Sequence, residues 1–279
     1  MTANIIDGKK IAQGIRDKLK AAAAELTVKP GLAVVLVGAD PASRTYVHSK
    51  EKACQEIGFY SEVHRLPETV SEAELLALVS KLNKDSRIHG VLVQLPLPAH
   101  IRTDKIILAI DPAKDVDCFH PLNTGALFSG LTSGILPCTP AGCLELIKST
   151  GLALSGKKAA VVGRSNIVGK PAALLLLHHD CTVTLCHSRT ADLAAELQQA
   201  DIVIAAAGRA GLITGAMLKP GAVVIDVGTN RVNGRLTGDV DFASAVQTAG
   251  FITPVPGGVG PLTIAMLMQN TLNVCRQKL

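Results

Sequence analysis

Apolar runs of strand length alternate with stretches of three- and four-residue apolar spacing along almost the whole chain. That alternation predicts an α/β protein built on parallel sheets. Ile11, Ile15, Leu19, Ala22 and Leu26 share one face of a first helix. LAVVLVG (Leu32 to Gly38) reads as a buried strand, and Asp40-Pro41 as the N-cap and first residue of a helix reaching about Gly58. EVHRL, a helix carrying Leu75, Leu78 and Val79, and the strand GVLVQLP (Gly90 to Pro96) come next. Between Asp111 and Pro140 the pattern lapses into a long loop rich in Asp, Gly, Pro and Thr. A stretch of that length in a compact protein marks a functional loop or a domain boundary, and here both are expected. The rhythm then resumes with KKAAVVG, TVTLCH, DIVIAAAG, AVVIDVG and GFITPVP as strands, helices lying between most of them. RVNGRL carries the Asn-Gly of a tight hairpin, and a last helix opens at Gly260-Pro261.

Composition narrows the class. With 279 residues, 48% hydrophobic and 18% charged, the chain can bury one large core or two medium ones. A net charge of +5, without a Lys/Arg stripe interleaved with aromatics, suits anionic small molecules and not a nucleic-acid groove. No apolar run is long enough to span a membrane, and MTANIIDGKK lacks the apolar core of a targeting peptide. Seven cysteines without a C-x-x-C pair point to a reducing, cytoplasmic setting. Cys181, Cys186 and His187 form the only cluster with the look of metal ligands. An extended TVTLCH strand sends the two cysteines to opposite faces, so they read as buried, inert thiols and no metal is expected.

VVGRSNIVGKP (Val161 to Pro171) has the strand, glycine turn and helix start that hold a pyrophosphate on free backbone N–H groups. It departs from Gly-x-Gly-x-x-Gly: Gly163 is followed by Arg164, and Ser165 and Asn166 can offer side-chain donors instead. An NAD enzyme usually places a carboxylate after the next strand, where this chain has His187, Ser188 and Arg189. With Arg164 nearby, that cluster favours a 2′-phosphate, so NADP is expected over NAD. The small residues Ala205, Ala206, Ala207 and Gly208 would let a flat nicotinamide lie close to the backbone.

Taken with YVHSKEKAC, GVLVQLPLPAHI, KDVDCFHPLNTG, PCTPAG, TVTLCHSRT, DVGTNR and ITPVPGGVGPLT, this loop carries a resemblance that runs nearly end to end. The chain resembles the bifunctional methylenetetrahydrofolate dehydrogenase/methenyltetrahydrofolate cyclohydrolase family. The resemblance implies two α/β domains, with tetrahydrofolate derivatives bound in a cleft between a catalytic domain and a Rossmann-like NADP domain, and a homodimer. The expected division is a folate-binding domain over 1–137, completed by the C-terminal helix 261–279, and an NADP domain over 138–279. Carried over by motif, the catalytic lysine is Lys50, its tyrosine partner Tyr46, the lysine-tuning glutamine Gln94 and the pterin-binding aspartate Asp117.

The chemistry of those residue types agrees with the roles. Tyr46 and Lys50 are four apart and share a helix face. A lysine that is neutral near physiological pH must be desolvated or set near other donors. An aspartate accepts in parallel the flat N–H pair of a pterin. Pro254 to Pro261, with Pro256, Gly257 and Gly258 at its centre, would form a side-chain-poor wall beside the ligand. Alone, Lys50 would read as a solvated helix lysine and Asp117 as a turn residue; Asp115 and His120 are taken as loop structure. Two positions depart from the family: Cys118 replaces a usual glycine, and Thr229 replaces a frequent isoleucine near the cofactor. A positive φ at Cys118 would strain the loop that carries Asp117. The resulting expectation is oxidation of methylenetetrahydrofolate with NADP⁺ followed by hydrolysis to 10-formyltetrahydrofolate. Its rivals are a dehydrogenase without the hydrolytic step and a catalytically silent NADP-binding sensor.

Overall fold

The computed structural model describes residues 2–131 and 134–278. Its first half runs β1 (Asn4–Ile5), α1 (Gly8–Ala24), β2 (Gly31–Val37), α2 (Pro41–Ile57), β3 (Tyr60–Leu66), α3 (Glu72–Lys84), β4 (Gly90–Val93), α4 (Thr103–Ala109) and α5 (Pro121–Phe128). The second half runs α6 (Cys138–Lys148), β5 (Lys158–Val162), α7 (Gly169–Leu177), β6 (Thr182–Cys186), α8 (Leu193–Gln198), β7 (Ile202–Ala205), β8 (Val223–Asp226), β9 (Asn230–Val232), β10 (Arg235–Thr237), α9 (Phe242–Ala245), β11 (Phe251–Ile252) and α10 (Val259–Gln277). The chain divides into two compact units, one of residues 14–138 with 264–279 and one of residues 1–13 with 139–263. The first thirteen residues thus cluster with the second half of the chain. The final residue of the expected 261–279 helix, Leu279, lies outside the described residues.

In the unit of residues 14–138, β2 is the middle strand of a parallel sheet ordered β3-β2-β4. Every residue of β2 is buried, as its unbroken apolar run requires of a strand covered on both faces. The helix after it, α2, starts where its capping chemistry dictates. Asp40 accepts from the Ser43 N–H at 2.7 Å, Pro41 takes the first helical position, and Gly58 closes the helix in the left-handed region at φ 81°. At the other end of the sheet edge, the backbone N–H of Gln94 donates to the Val35 carbonyl at 2.8 Å. That bond delivers the residue just past β4 to the C-terminal end of β2, the end at which open α/β sheets place their ligands.

The other unit holds a six-stranded parallel sheet ordered β1-β11-β8-β7-β5-β6. Its core packs Val162, Leu197, Val203, Val224 and Ile252, all nearly sealed from solvent. The β9–β10 hairpin turns at Asn233 (φ 49°) and Gly234 (φ 76°), the two positive angles that an Asn-Gly turn supplies.

Two features differ from the expectation. The 111–140 stretch, of which Thr132 and Ser133 lie outside the described residues, contains α5 and the start of α6. Leu122 and Phe128 of α5 are mostly exposed, so the helix has no apolar stripe to betray it; Pro121 and a His120 Nδ1 cap on the Leu122 N–H start it instead. Pro140, read as part of the loop, sits in the first turn of α6, where no intrahelical N–H is needed. GFITPVP forms only the two-residue β11, because Pro254 and Pro256 bring no ladder N–H.

Candidate active site

Lys50 lies one turn after Tyr46 on α2 and is only 6% exposed. Its Nζ donates to Gln94 Oε1 at 2.9 Å, and Gln94 Nε2 donates in turn to the Leu95 carbonyl at 2.8 Å. The second bond fixes which way the amide faces, so the oxygen is held toward the lysine. Burial lowers the Lys50 pKa, and the negative charge of Asp117 pulls against that shift. Burial likewise raises the pKa of Asp117, opposed first by Lys50 and also by a hydrogen bond from Cys138. Tyr46 is raised by burial as well, which keeps its hydroxyl protonated.

The loop bearing Asp117 is tightly braced. Lys114 Nζ donates to the Leu82 and Asp85 carbonyls, and Asp115 Oδ2 accepts from the His120 N–H at 2.8 Å and Asn123 Nδ2 at 2.9 Å. Asp115 and His120 therefore serve the loop itself, as read from the sequence. Cys118 adopts φ 62°, the left-handed conformation that the usual glycine would take without cost. Its side chain is buried, with Sγ 3.8 Å from the Ile135 carbonyl oxygen.

Two residues around Asp117 escaped the sequence reading. Burial holds the Cys138 thiol protonated, and its Sγ lies 3.2 Å from the Val116 carbonyl oxygen. Asn270, on α10, donates to the Val116 carbonyl at 2.8 Å and the Leu136 carbonyl at 2.7 Å. A single buried amide amid MLMQNTL was the available signal, since buried polar groups need partners.

In the other unit, both glycines of the Val161–Pro171 turn are sterically required. A Cβ on Gly163, whose φ is 122°, would collide with the Ala206 carbonyl oxygen, and one on Gly169 with the Gly163 carbonyl oxygen. Ser165 Oγ accepts from the N–H groups of Val168 (3.1 Å) and Gly169 (3.3 Å), leaving its hydroxyl proton to donate. Asn166 is partly committed, its Oδ1 accepting from Lys170 Nζ at 2.7 Å. Arg164 is exposed. After β6 the chain turns on three bonds, His187 N–H to Thr190 Oγ1, Arg189 N–H to His187 Nδ1 and Thr190 N–H to the His187 carbonyl, with Ser188 and Arg189 exposed and no carboxylate from 187 to 190. A close-approach glycine turn flanked by cations suits a dinucleotide carrying an extra phosphate.

Ala207 and Gly208 are exposed, and their N–H groups donate to the buried Asp239. Thr229 is exposed too, on the loop after β8. Of the expected wall, Pro256 is exposed but Gly258 is buried, and its missing side chain serves the fold: a Cβ there would lie 2.7 Å from both the Pro254 oxygen and the Thr253 Cβ. Gly257, at φ 107°, is half-buried. No helix among the described residues is long and apolar enough to cross a membrane.

Comparison with known proteins places these features in a family. Residues 6–117 match the catalytic domain of tetrahydrofolate dehydrogenase/cyclohydrolase, and residues 137–279 match its NAD(P)-binding domain. The bifunctional protein FolD of Moorella thermoacetica is 60% identical over 99% of this chain and 100% of its own. The bifunctional FolD methylenetetrahydrofolate dehydrogenase/cyclohydrolase of Campylobacter jejuni superposes with a TM-score of 0.97 at 48% identity, covering 99% of this chain and 100% of its own. The Trypanosoma brucei enzyme, solved with NADP cofactor and an inhibitor, gives 0.95 at 40% identity, covering 100% and 99%. With its buried lysine bonded to a glutamine in one unit and its glycine turn in the other, this chain belongs to the tetrahydrofolate dehydrogenase/cyclohydrolase family.

Proposed function

We infer that this protein oxidises 5,10-methylenetetrahydrofolate to the methenyl cation with NADP⁺ and then hydrolyses that cation to 10-formyltetrahydrofolate. The observation that carries the reading is the hydrogen bond from the buried Lys50 to Gln94 beside Asp117, inside a chain that matches bifunctional relatives over its full length. NADP⁺ supplies the hydride acceptor. The glycine turn at Gly163, the Ser165 hydroxyl and the cations Arg164 and Arg189 would hold its phosphates, with His187 and Ser188 beside the 2′-phosphate. Ala207, Gly208 and Thr229 would border the nicotinamide end.

Folate would be held by Asp117, whose carboxylate takes the pterin's paired N–H donors, with Pro256, Gly257 and Gly258 lining the ligand. In the hydrolytic step a neutral Lys50 takes a proton from water as the new C–O bond forms on the cation. A proton then goes to the ring nitrogen as the C–N bond breaks, and the hydroxyl loses its proton to become the formyl group, so one proton is released overall. Gln94 holds the amine in place through a neutral acceptor that does not stabilise its charged form as a carboxylate would. Tyr46, a turn away, would orient both. The same reading makes the protein a homodimer of the cytoplasm, acting on small molecules and not nucleic acid, with folate bound by the 1–137 region and NADP by the 138–279 region. Its mild charge of +5 without a basic stripe supports the small-molecule part.

Methenyl absorbance, followed in purified protein with and without NADP⁺, tests the reading. The bifunctional enzyme forms the methenyl compound only with NADP⁺ and, given that compound, consumes it without NADP⁺. Methenyl accumulation without consumption would indicate a dehydrogenase alone, and neither signal would indicate a sensor.

A further inference from the structure

Asp239 has no exposed surface, and its carboxylate accepts four N–H groups. Oδ2 takes the backbone N–H of Ala207 at 2.6 Å and of Gly208 at 2.8 Å; Oδ1 takes the backbone N–H of Arg209 and Asn230 Nδ2, both at 2.8 Å. Its own backbone N–H donates to Asp226 Oδ1 at 2.9 Å, and Asp226 also accepts from the N–H groups of Gly228 and Val240, both at 2.9 Å. The two carboxylates thus tie together the loop after β7, the loop after β8 and the strand end after β10. Residues 207–210 are all exposed, so no buried side chain anchors them. Beyond them the chain is held by backbone bonds, Gly211 N–H to the Gly238 carbonyl and Ile213 N–H to the Asp239 carbonyl. All three backbone N–H groups of 207–209 are therefore held by one buried carboxylate, and the Arg209 carbonyl accepts from the Leu212 N–H at 3.4 Å.

That loop touches the glycine turn, since the Ala206 carbonyl oxygen fills the place a Gly163 Cβ would need. A dinucleotide whose phosphates rest at Gly163 reaches the 207–209 backbone next. Because Asp239 consumes all three backbone N–H groups there, the backbone of the loop can offer a ligand only carbonyl oxygens and Cα hydrogens.

We propose that Asp239 is a positioning residue for hydride transfer, setting the 207–209 backbone against the nicotinamide ring. This rests on the reading under "Proposed function" and adds to it a residue that touches neither substrate nor cofactor. Loss of its charge should alter the placing of the nicotinamide and leave the adenosine end and the Lys50 chemistry alone.

Asp239→Asn keeps the size but turns one acceptor into a donor that faces two N–H groups. Dehydrogenase kcat should fall by about 10- to 100-fold, the scale of an ångström misplacement of a reacting ring. The KM for NADP⁺ should change less than kcat. Adenosine 2′,5′-bisphosphate, which carries the 2′-phosphate but no nicotinamide, should bind as to the wild type, and NADP-independent cyclohydrolase activity should be unchanged. Wild-type dehydrogenase kcat in this variant overturns the proposal, as does parallel loss of bisphosphate binding and cyclohydrolase activity, which would mark a general structural role. If Asp239→Asn does not fold, Asn230→Ala decides: it removes one of the four donors, and kcat should fall about 3- to 10-fold, with an unchanged kcat overturning the proposal. Absence of both activities from the wild type would remove the functional reading itself and this inference with it, whereas a normal Asp239→Asn enzyme would remove this inference alone.

Discussion

Lys50 Nζ and Gln94 Oε1 meet at 2.9 Å across 44 residues of sequence, and the glutamine amide is itself pinned by the Leu95 carbonyl. A neutral acceptor satisfies one amine hydrogen without adding an anion to favour the ammonium. With burial already lowering the Lys50 pKa, the pair keeps a reactive amine within reach of deprotonation.

Lys50→Met should separate the two activities. Methionine keeps most of the apolar stem, so packing survives, but it can carry no proton. Hydride transfer needs orientation and no protein proton carrier, whereas hydration and ring opening do need one. A positioned proton carrier contributes roughly 10²–10⁴-fold, so cyclohydrolase activity should fall by about that factor. Dehydrogenase activity should persist, and methenyltetrahydrofolate should accumulate in the absorbance assay. Equal loss of both in a folded, NADP-binding variant would make Lys50 chiefly a substrate-binding residue.

The pH dependence follows from the same pair. Lys50 titrates below an ordinary lysine, so the native state holds fewer protons at this site than the unfolded chain between the two pKa values. Stability contributed here rises with pH across that window and is lost as pH falls through the folded pKa. Cyclohydrolase kcat/KM should rise with pH along the same limb. Gln94→Glu places an anion beside the amine, which favours its charged form and moves the limb to higher pH. A limb that stays in place in Gln94→Glu, or that survives in Lys50→Met, would assign the ionisation to another group.

Much of this architecture was legible in the sequence because single physical rules wrote it. Buried parallel strands read as unbroken apolar runs, and α2 is bounded by the Asp40, Pro41 and Gly58 chemistry that the structure uses. The helix α5 was illegible because Leu122 and Phe128 do not face a core. Lys50 and Tyr46 could be paired by helical spacing, but the approach of Gln94 and Asp117 depends on strand order, which local pattern does not encode; family resemblance supplied it. Asp239 and Cys138 were missed for the same reason, since Ala207, Gly208 and Arg209 lie 30 to 32 residues from Asp239 and Val116 lies 22 residues from Cys138.

Cys118 tests the coupling between loop conformation and ligand binding. At φ 62° it occupies a region disfavoured for side chains, by about 1–2 kcal/mol. Cys118→Gly removes that cost but loses buried thiol surface and gains unfolded-state freedom, each about 1 kcal/mol, so stability should stay within about 1 kcal/mol of the wild type. Cys118→Val puts a β-branched, bulkier side chain into the same conformation and should destabilise by about 2–3 kcal/mol in urea denaturation. Both activities should then fall together, because Asp117 is the preceding residue. Wild-type activity in a folded Val variant would uncouple the loop from folate binding.

Cofactor choice can be tested at Arg164, which is exposed on the glycine turn. NADP⁺ differs from NAD⁺ only by the 2′-phosphate, so a residue that binds that group must affect the two unequally. A charge-assisted hydrogen bond contributes roughly 1.5–3 kcal/mol, and Arg164→Ala should therefore weaken NADP⁺ by about 10- to 100-fold. NAD⁺ affinity should change little, since the turn's shape is set by Gly163, Gly169 and the Ser165 bonds to Val168 and Gly169. Raising salt should narrow the gap between the two cofactors in the wild type and have less effect in the variant, because an exposed ion pair is screened. Equal weakening of both cofactors would mean that Arg164 shapes the turn, leaving His187, Ser188 and Arg189 as the residues that distinguish the extra phosphate.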